Sequence, residues 1–314
     1  MRPLGRSGLA TAPLVLGGNV FGWTADEANS FAILDRFVEA GFNTIDTANS
    51  YSVWVPGHAG GESETIIGKW FKRSARRDAV VIATKVGMKV EGEEGLKRAQ
   101  IERHVEASLR RLQTDRIDLY QTHKDDLSTP VEETLEALAG LVKSGTVRAV
   151  GASQYQPDRL RESLEASKRL GIPRYETLQP EYNLYDRAGF ERDYQALALE
   201  YGLAVIPFFG LAKGFLSGKY RSRGDIEGRA RAAGLKKYFE GDRGMRILAA
   251  LDAVSTRVGA TPAQVSLAWI LAQPSIAAPI VSVTSVAQLD EIIGAAKLQL
   301  DAEALAQLDL ASAA

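Results

Sequence analysis

The chain has 314 residues, with 38 Lys and Arg against 39 Asp and Glu, three His and no Cys. Without cysteine, disulfides, zinc–thiolate and iron–sulfur centres and cysteine nucleophiles are excluded. A formal net charge of −1 argues against a nucleic-acid partner, and 45% hydrophobic with 25% charged residues is typical of a globular chain with a sizeable core.

Neither end of the chain nor its apolar stretches predict a membrane segment. The N-terminal apolar run is too short for a signal peptide and continues into a predicted strand. Residues 258–289 carry no charge, but Pro262, Pro274 and Pro279 interrupt them, whereas a membrane span is continuously apolar for about 20 residues. We therefore expect a cytoplasmic protein without a membrane partner.

Short β-rich segments alternate with helical patterns along the chain. Several are almost entirely apolar, which is typical of parallel strands covered on both faces. The predicted strands are residues 13–18, 43–47, 79–84, 117–122, 147–151, 176–180, 203–208 and 277–282. Eight strands alternating with helices predict an α/β fold, specifically a (β/α)8 TIM barrel rather than an open sheet.

Local signals predict several helices. Residues 97–113 carry an apolar face at helical spacing, and a final helix is expected at about 302–312. Capping residues predict three helix starts, at Thr24 with Glu27, at Thr129-Pro130-Val131-Glu132 and at Thr261 with Gln264.

The domain organisation follows from the spacing of these elements. No low-complexity linker divides the chain, so we predict one domain over residues 1–314. The connection from about 208 to 277, after the seventh strand, is too long for one loop and one helix. It contains a basic, glycine-containing segment and should add extra helices to the barrel.

Polar side chains follow three neighbouring predicted strands at the same end. Strand 2 ends at Asp46 with Tyr51 in the next loop, strand 3 ends at Lys85, and strand 4 ends at His123. Barrel enzymes carry their active sites at this end of the strands. Each residue alone would as readily be structural, and it is their co-location that favours a site.

These four residue types can together deliver a proton to a carbonyl oxygen. Tyrosine is a weak acid with a free pKa of about 10, which a nearby ammonium should lower. A carboxylate such as Asp46 would hold that ammonium in place, and a neutral His123 could hydrogen-bond the substrate oxygen. The hydride must come from a cofactor, because proteins contain no hydride donor.

Seven motifs, in order between the N-terminal LVLGG and residue 296, resemble those of the aldo-keto reductase superfamily. They are DTANSY (46–51), GGESE (60–64) with Gly68, TKVG around Lys85, YQTH ending at His123, GASQ (151–154), LQPEYNLYDR (178–187) and GFLSGKY (214–220). The resemblance implies a bacterial-type NAD(P)H-dependent oxidoreductase that reduces a small-molecule carbonyl substrate. It implies a catalytic tetrad of Asp46, Tyr51, Lys85 and His123, with Tyr51 as the general acid.

The resemblance also implies a nicotinamide cofactor extended across the barrel mouth. Ser153, Gln154 and Gln179 would bind the carboxamide, and Phe208 would stack on the ring. Asp46 and the backbone at Gly18 and Asn19 would lie near the nicotinamide. The pyrophosphate would follow Phe209, Gly210, Leu211, Lys213 and Gly214, with Lys219 and Arg229 adding positive charge.

Two of these positions depart from the family, because Gln154 stands where Asn is usual and Phe208 where Tyr is frequent. Residues 282–293, where the family commonly holds the 2′-phosphate with a basic residue, contain none. Ser282, Thr284, Ser285 and Gln288 could still hydrogen-bond a phosphate there, and Glu291 is also expected to contact the cofactor, although Ser285 with Gln288 also reads as a helix cap. We expect NADPH, with Arg229 supplying the missing charge, and NADH remains an alternative.

The substrate pocket should be walled by aromatic residues. Phe21, Trp23 and Trp54, beside Tyr51 and His123, would suit apolar aldehydes and ketones and also sugar faces. Two other functions stay open: a nucleotide-binding accessory or sensor subunit, such as those of potassium channels, and an aldolase with Lys85 as Schiff-base amine. No metal is expected, because the three His residues lack paired ligand spacing. The sequence leaves the oligomeric state open.

Overall fold

The computed structural model describes residues 1–228 and 232–313 of the chain. An antiparallel hairpin of β1 and β2 precedes eight parallel strands, β3 to β10. The strands are β1 Arg2–Pro3, β2 Ala10–Thr11, β3 Val15–Gly17, β4 Thr44–Asp46, β5 Val81–Val86, β6 Ile117–Thr122, β7 Val147–Ser153, β8 Tyr175–Gln179, β9 Ala204–Val205 and β10 Ile280–Val281. All eight predicted barrel strands are present: five lie at or within their expected bounds, whereas β5, β7 and β8 extend beyond theirs by one or two residues.

The parallel sheet curls into a closed barrel. Its order is β10-β3-β4-β5-β6-β7-β8-β9. Backbone hydrogen bonds join the two edges: Val205 N donates to the Ser275 carbonyl at 3.0 Å, and Ile280 N donates to the Pro207 carbonyl at 2.8 Å. The predicted (β/α)8 barrel is therefore confirmed.

Helices surround the barrel, and the long connection after β9 contains α8, α9 and α10. The helices are α1 Glu27–Glu39, α2 Glu62–Ser74, α3 Arg98–Leu112, α4 Val131–Lys143, α5 Pro157–Leu170, α6 Ala188–Asp193, α7 Gln195–Tyr201, α8 Ala232–Leu235, α9 Arg243–Val258, α10 Pro262–Leu271, α11 Val286–Ile293 and α12 Ala302–Ser312. Within the residues described, none of them combines the length and apolarity needed to cross a bilayer.

One of the three predicted capping residues is confirmed and two are wrong. Thr261 and Gln264 form the expected reciprocal cap of α10. At α1, Asp26 rather than Thr24 is the cap, because its carboxylate accepts from Asn29 N at 2.8 Å. At α4, the Thr129 hydroxyl donates to the Asp126 carboxylate instead of capping the helix. At α1 an aspartate thus replaces the expected threonine as the cap, whereas α4 has no side-chain cap.

Apolar side chains fill the N-terminal half of the barrel and leave its other end free for polar groups. Leu4 and Leu9 of the hairpin are buried in one cluster with Val81, Leu119 and Ile206 from the strands. The hairpin therefore closes the N-terminal end of the barrel. The C-terminal ends of the strands remain open, which is where the predicted site residues lie.

Arg2 ties this hairpin to the end of α10 and to the segment that leads into β10. Its guanidinium donates to the carbonyls of Leu271, Ile276 and Ala277 at 3.1–3.4 Å. Because charged donors contribute about 1.5–3 kcal/mol per bond, we expect Arg2→Ala to lower the free energy of unfolding by about 2 kcal/mol in urea denaturation. Arg6→Ala, at an exposed position of the same hairpin, should leave it unchanged. Equal effects of the two substitutions would contradict this role.

Candidate active site

A buried ion pair between Asp46 and Lys85 lies at the centre of the barrel mouth. The Lys85 ammonium donates to Asp46 Oδ2 at 2.7 Å, to the Thr47 carbonyl at 2.8 Å and to the Tyr51 hydroxyl at 2.8 Å. The two charged side chains are 0% and 1% exposed. All three ammonium donors are thus used inside the protein.

The Asp46 carboxylate is held by both of its oxygens. Oδ2 also accepts from the Tyr51 hydroxyl at 3.0 Å, while Oδ1 accepts from Gln179 Nε2 at 3.0 Å and Gln121 Nε2 at 3.4 Å. The Thr177 hydroxyl donates to the side-chain oxygen Oε1 of Gln121 at 3.3 Å. Four neighbouring side chains therefore fix the plane of the carboxylate.

The strand register explains why these residues meet. Asp46 pairs with Ala83 across β4 and β5, and Lys85 pairs with Gln121 across β5 and β6. Gln121 in turn pairs with Gly151, where an added Cβ would lie 2.0 Å from the Thr177 hydroxyl. Glycine at position 151 is therefore required for the polar layer beneath the site to close.

Burial shifts the pKa values of Tyr51 and Lys85 in the direction that disfavours their charged forms. It raises the pKa of Tyr51 well above 10, with Asp46 adding to the rise. Burial also lowers the pKa of Lys85, against the attraction of Asp46. The expectation that the ammonium lowers the pKa of Tyr51 is wrong here, because desolvation and the carboxylate outweigh it. Tyr51 stays protonated over the physiological range.

His123 directly follows β6 and lies beside Tyr51, with the two rings edge to face at 5.9 Å. Burial, reinforced by Lys85, lowers its pKa well below 6.5, so the imidazole is neutral. Ser50 Oγ lies 3.3 Å from His123 Nδ1, and Gln154 Nε2 donates to the His123 carbonyl at 3.0 Å. Ser50 was missed in the sequence, although it directly precedes Tyr51.

A cleft of about 960 Å³ runs from Tyr51 and His123 toward α11. Most of the predicted binding residues line it. They are Asn19, Trp54, Ser153, Gln154, Gln179, Phe208, Phe209, Gly210, Leu211, Lys213, Gly214, Lys219, Ser282, Thr284, Gln288 and Glu291. Residues from distant parts of the sequence are thus brought onto one continuous surface.

Five predicted residues do not line this cleft. Gly18 is buried, and Asp46 and Lys85 lie beneath the surface under Tyr51. The prediction that Phe21 walls the substrate pocket is wrong, because its side chain is 0% exposed and packs in the core. Trp23 packs edge to face on Trp54 at 5.6 Å. Arg229 lies outside the described residues.

Several lining residues were not predicted. Met88 and Lys89 follow β5 at the same rim as Lys85, and Val53 and Tyr220 extend the wall on either side. Met88 and Lys89 could have been found by applying the strand-end argument to the whole loop after β5. Nothing in the sequence singles out Val53.

The cleft has the charge and shape to hold a dinucleotide. Lys213 and Lys219 line it, and neither ammonium forms a direct ion pair with a carboxylate within residues 1–228 and 232–313; each lies near an aromatic ring instead. Gly214, with a φ of 99°, adopts a backbone conformation that glycine tolerates best between them. Two free cations at a glycine turn fit a pyrophosphate, so the residues present fit a nicotinamide dinucleotide.

The end of the cleft near α11 is polar and carries internal hydrogen bonds. Ser285 caps α11 by accepting from Gln288 N, as its sequence indicates. Gln288 Oε1 accepts from the Thr284 backbone and hydroxyl at 2.9 and 3.2 Å. Ser282 donates to Asn19 Oδ1 at 2.5 Å. These side chains can serve as neutral partners for a nucleotide at this end.

Comparison with known proteins identifies the class to which this barrel and site belong. The model of the Aldo/keto reductase family matches residues 13–313, and the chain belongs to this family. It is similar to the uncharacterized oxidoreductase YrpG of Bacillus subtilis, 37% identical over 98% of this chain and 94% of the relative.

Two further relatives differ in their named roles. The aldo-keto reductase YhdN of Bacillus subtilis is 33% identical over 86% of this chain and 78% of its own. A probable voltage-gated potassium channel subunit beta of rice, Oryza sativa subsp. japonica, is 32% identical over 92% of this chain and 88% of its own. The protein is thus an oxidoreductase of a family that uses NAD(P)H on small carbonyl compounds.

Ser50 should set the tautomer of His123. Ser50 is 4% exposed, and its hydroxyl has no other acceptor among the described residues, so it should donate to Nδ1 and leave the proton on Nε2. We expect Ser50→Ala to shift the imidazole toward the Nδ1-protonated form, measured by 15N NMR near neutral pH. Ser52→Ala, whose hydroxyl bonds the Phe21 carbonyl, is the matched control. An unchanged tautomer in Ser50→Ala would contradict the assignment.

Proposed function

We propose that the protein reduces aldehydes and ketones to alcohols with NADPH, using Tyr51 as the general acid. The observation that carries this proposal is the position of the Tyr51 hydroxyl. It contacts a buried ammonium at 2.8 Å and a carboxylate at 3.0 Å, and it faces the cleft beside a neutral His123. This is the arrangement required to protonate a carbonyl oxygen.

The cofactor, when bound, supplies the hydride to the carbonyl carbon. Tyr51 gives its proton to the carbonyl oxygen, and the Lys85 ammonium stabilises the phenolate that remains. Asp46 holds that ammonium charged in its buried position. His123 Nε2–H hydrogen-bonds the same carbonyl oxygen and orients it toward Tyr51. Closure of the N-terminal barrel end by the hairpin lets substrate approach only from the cleft.

We assign the nicotinamide end of the cofactor to Ser153, Gln154, Gln179 and Phe208. Ser153 donates to the Gln179 carbonyl at 2.8 Å, so these two side chains are already tied together. The Phe208 ring gives an apolar stacking face. Gln154 would redirect the side-chain amide that now contacts the His123 carbonyl, whereas Gln179 would keep Nε2 on Asp46 and offer its side-chain oxygen to the carboxamide.

We assign the pyrophosphate to Lys213 and Lys219 with the backbone from Phe209 to Gly214. Ser282, Thr284, Gln288 and Glu291 would contact the adenosine end. We prefer NADPH because it is the usual cofactor of the family and because Arg229 carries the positive charge that residues 282–293 lack. NADH binding as tight as NADPH binding would overturn the preference but leave the reductase proposal intact.

The substrate would enter under an aromatic pair. Trp54 is 47% exposed and contacts both Trp23 and Tyr51 edge to face, with ring centroids at 5.6 and 6.2 Å. An exposed indole beside the proton donor favours carbonyl compounds with an apolar or sugar face. We infer that the loop after Tyr51, which carries Trp54, sets part of the specificity.

The second candidate is a nucleotide-binding accessory or sensor subunit, favoured by the similarity to the rice channel-subunit relative. Tight nucleotide binding without turnover of any carbonyl would support it. The aldolase alternative is weakened because Lys85 uses all three donors on Asp46, Thr47 and Tyr51. A Schiff-base lysine must instead present a free amine.

Tyr51→Phe tests the general acid. It removes only the hydroxyl, and general acid catalysis contributes about 10²–10⁴-fold, so we expect kcat to fall by at least about 100-fold. The dissociation constants of NADPH, followed by intrinsic fluorescence, should stay within about threefold, because the ring remains. Tyr220→Phe, elsewhere on the cleft wall, is the matched control. Wild-type turnover by Tyr51→Phe would exclude Tyr51 as the acid.

The pH dependence of the chemical step follows from the directions of the two pKa shifts. The pKa of Tyr51 is raised above 10, so Tyr51 keeps its proton, while the pKa of His123 is lowered below 6.5, so the imidazole stays neutral. Neither group should titrate between about pH 6 and about pH 8. We therefore expect the single-turnover reduction rate to be flat across this range. A break that disappears in His123→Asn would show that His123 titrates there after all.

A further inference from the structure

The loop after β5, residues 87–97, forms a short hairpin at the rim of the cleft. Val90 and Glu93 exchange backbone hydrogen bonds at 2.9 and 3.0 Å, and the two residues between them have positive φ angles of 53° and 87°. This is the backbone of a tight two-residue turn. Because Val90 is buried, the hairpin is anchored to the protein immediately after Lys89, which lines the cleft.

Further hydrogen bonds hold the base of this hairpin. Gly95 N donates to the Gly87 carbonyl at 3.2 Å, and Leu96 N donates to the Asp126 carboxylate at 2.9 Å. Gly87 has a φ of 114°, and a Cβ added there would lie 2.8 Å from the Leu96 side chain. The chain therefore leaves β5 along one defined path, which fixes the backbone position of Lys89.

This path places Lys89 next to the loops that carry the proposed site of carbonyl reduction. β5 lies between β4 and β6 in the sheet, so its loop is flanked by the loop that bears Tyr51 and by His123. Lys89 is four residues beyond Lys85, whose ammonium contacts the Tyr51 hydroxyl at 2.8 Å, and four residues span at most about 14 Å. A small molecule can therefore contact Tyr51 and Lys89 at once.

The protein itself does not use the Lys89 ammonium. Lys89 is exposed, and in the described part of the chain its ammonium forms no ion pair and no hydrogen bond. None of the three glutamates of the hairpin lines the cleft. Glu93 pairs with Arg103 at 2.6 Å and Glu94 with Lys124 at 3.5 Å. The charge that the hairpin presents to the cleft is therefore positive.

The charged side chains of the cleft are divided between its two ends. Lys213 and Lys219 lie where we assign the pyrophosphate, and Glu291 lies where we assign the adenosine. At the substrate end, Lys89 is the one charged side chain among the described lining residues, because His123 is neutral. The phosphates of a bound cofactor would occupy the other two lysines. Lys89 is then the cation that a substrate can still contact.

We propose that Lys89 determines substrate specificity by binding an oxyanion, such as a carboxylate, on the carbonyl substrate. The preferred substrates are then anionic aldehydes and ketones. The oxyanion forms an ion pair with Lys89, the apolar middle of the molecule packs against Trp54 and Met88, and the carbonyl group lies at Tyr51 and His123. Because the hairpin already fixes the backbone of Lys89, binding requires the ordering of its side chain alone. This assignment rests on the proposed reductase function, since it concerns the same cleft.

The first arm of the test compares three carboxylates with their uncharged amides as substrates. The carboxylates are 3-formylbenzoate, 4-formylbenzoate and 3-(4-formylphenyl)propanoate, which place the charge at different distances from the aldehyde. Dividing the acid-to-amide ratio of kcat/KM in the wild type by that in Lys89→Met removes differences in intrinsic reactivity. We expect a quotient of about five for at least one pair, the upper range for an exposed ion pair.

Two further measurements identify the effect as electrostatic. The quotient should fall toward one in about 0.5 M NaCl, because salt screens exposed charges. Lys89→Glu should disfavour the acids more than Lys89→Met does, because it replaces attraction by repulsion. A quotient that is unchanged by salt, with equal ratios in the two variants, would show that the side chain acts by packing and would overturn the proposal.

Lys124→Met is the matched control. Lys124 directly follows His123 and is exposed at the same rim, but it does not line the cleft. Its acid-to-amide ratios should equal those of the wild type. A quotient of one for all three pairs, or an equal loss of preference in Lys124→Met, would contradict a specific role for Lys89.

The second arm measures binding without turnover, by titrating the three matching pairs of alcohols into NADPH-loaded protein, where no reduction can occur. At least one acid should bind about fivefold more tightly than its amide in the wild type, and this difference should disappear in Lys89→Met. Equal affinities in both proteins would refute the site, while turnover of the uncharged amides would still support the reductase. Preferential binding of an acid by a protein that reduces no carbonyl would instead refute the proposed function and leave the site standing.

Discussion

The geometry of the site depends on one buried ion pair, Asp46 with Lys85. Isolating two charges from water is expensive, and a buried pair is maintained only where further hydrogen bonds satisfy the remaining atoms. Here the Thr47 carbonyl and the Tyr51 hydroxyl accept the remaining hydrogen bonds of the ammonium, while Gln179 and Gln121 donate to the second oxygen of the carboxylate. The same contacts that make the pair tolerable therefore fix Tyr51 at the cleft surface, so stability and proton delivery share one set of bonds.

The fold was largely predictable from the sequence, because parallel strands covered on both faces appear in it as short apolar segments. β6 at Ile117–Thr122 and α12 at Ala302–Ser312 match their predicted bounds. The caps of α1 and α4 were mispredicted because a loop aspartate competes in each case: the Asp26 carboxylate takes the capping bond of α1, and Asp126 accepts from the Thr129 hydroxyl before α4. Such competition depends on loop conformation, which a local pattern does not encode.

The candidate site was predictable where chemistry is concentrated at strand ends, and less so where packing decides. Whether an aromatic residue such as Phe21 faces the cleft or the core depends on loop geometry. The direction of the Tyr51 pKa depends on burial, which outweighs the ammonium that the sequence emphasises.

The central claim is that the Lys85 charge, held by Asp46, enables Tyr51 to protonate a carbonyl. Its most direct test is the single-turnover rate of carbonyl reduction by NADPH-loaded wild type and Lys85→Met, which keeps a similar side-chain length without the charge. The account predicts a rate at least about 100-fold slower in Lys85→Met, with folding and the NADPH dissociation constant retained. An equal rate in a folded, NADPH-binding variant would contradict it.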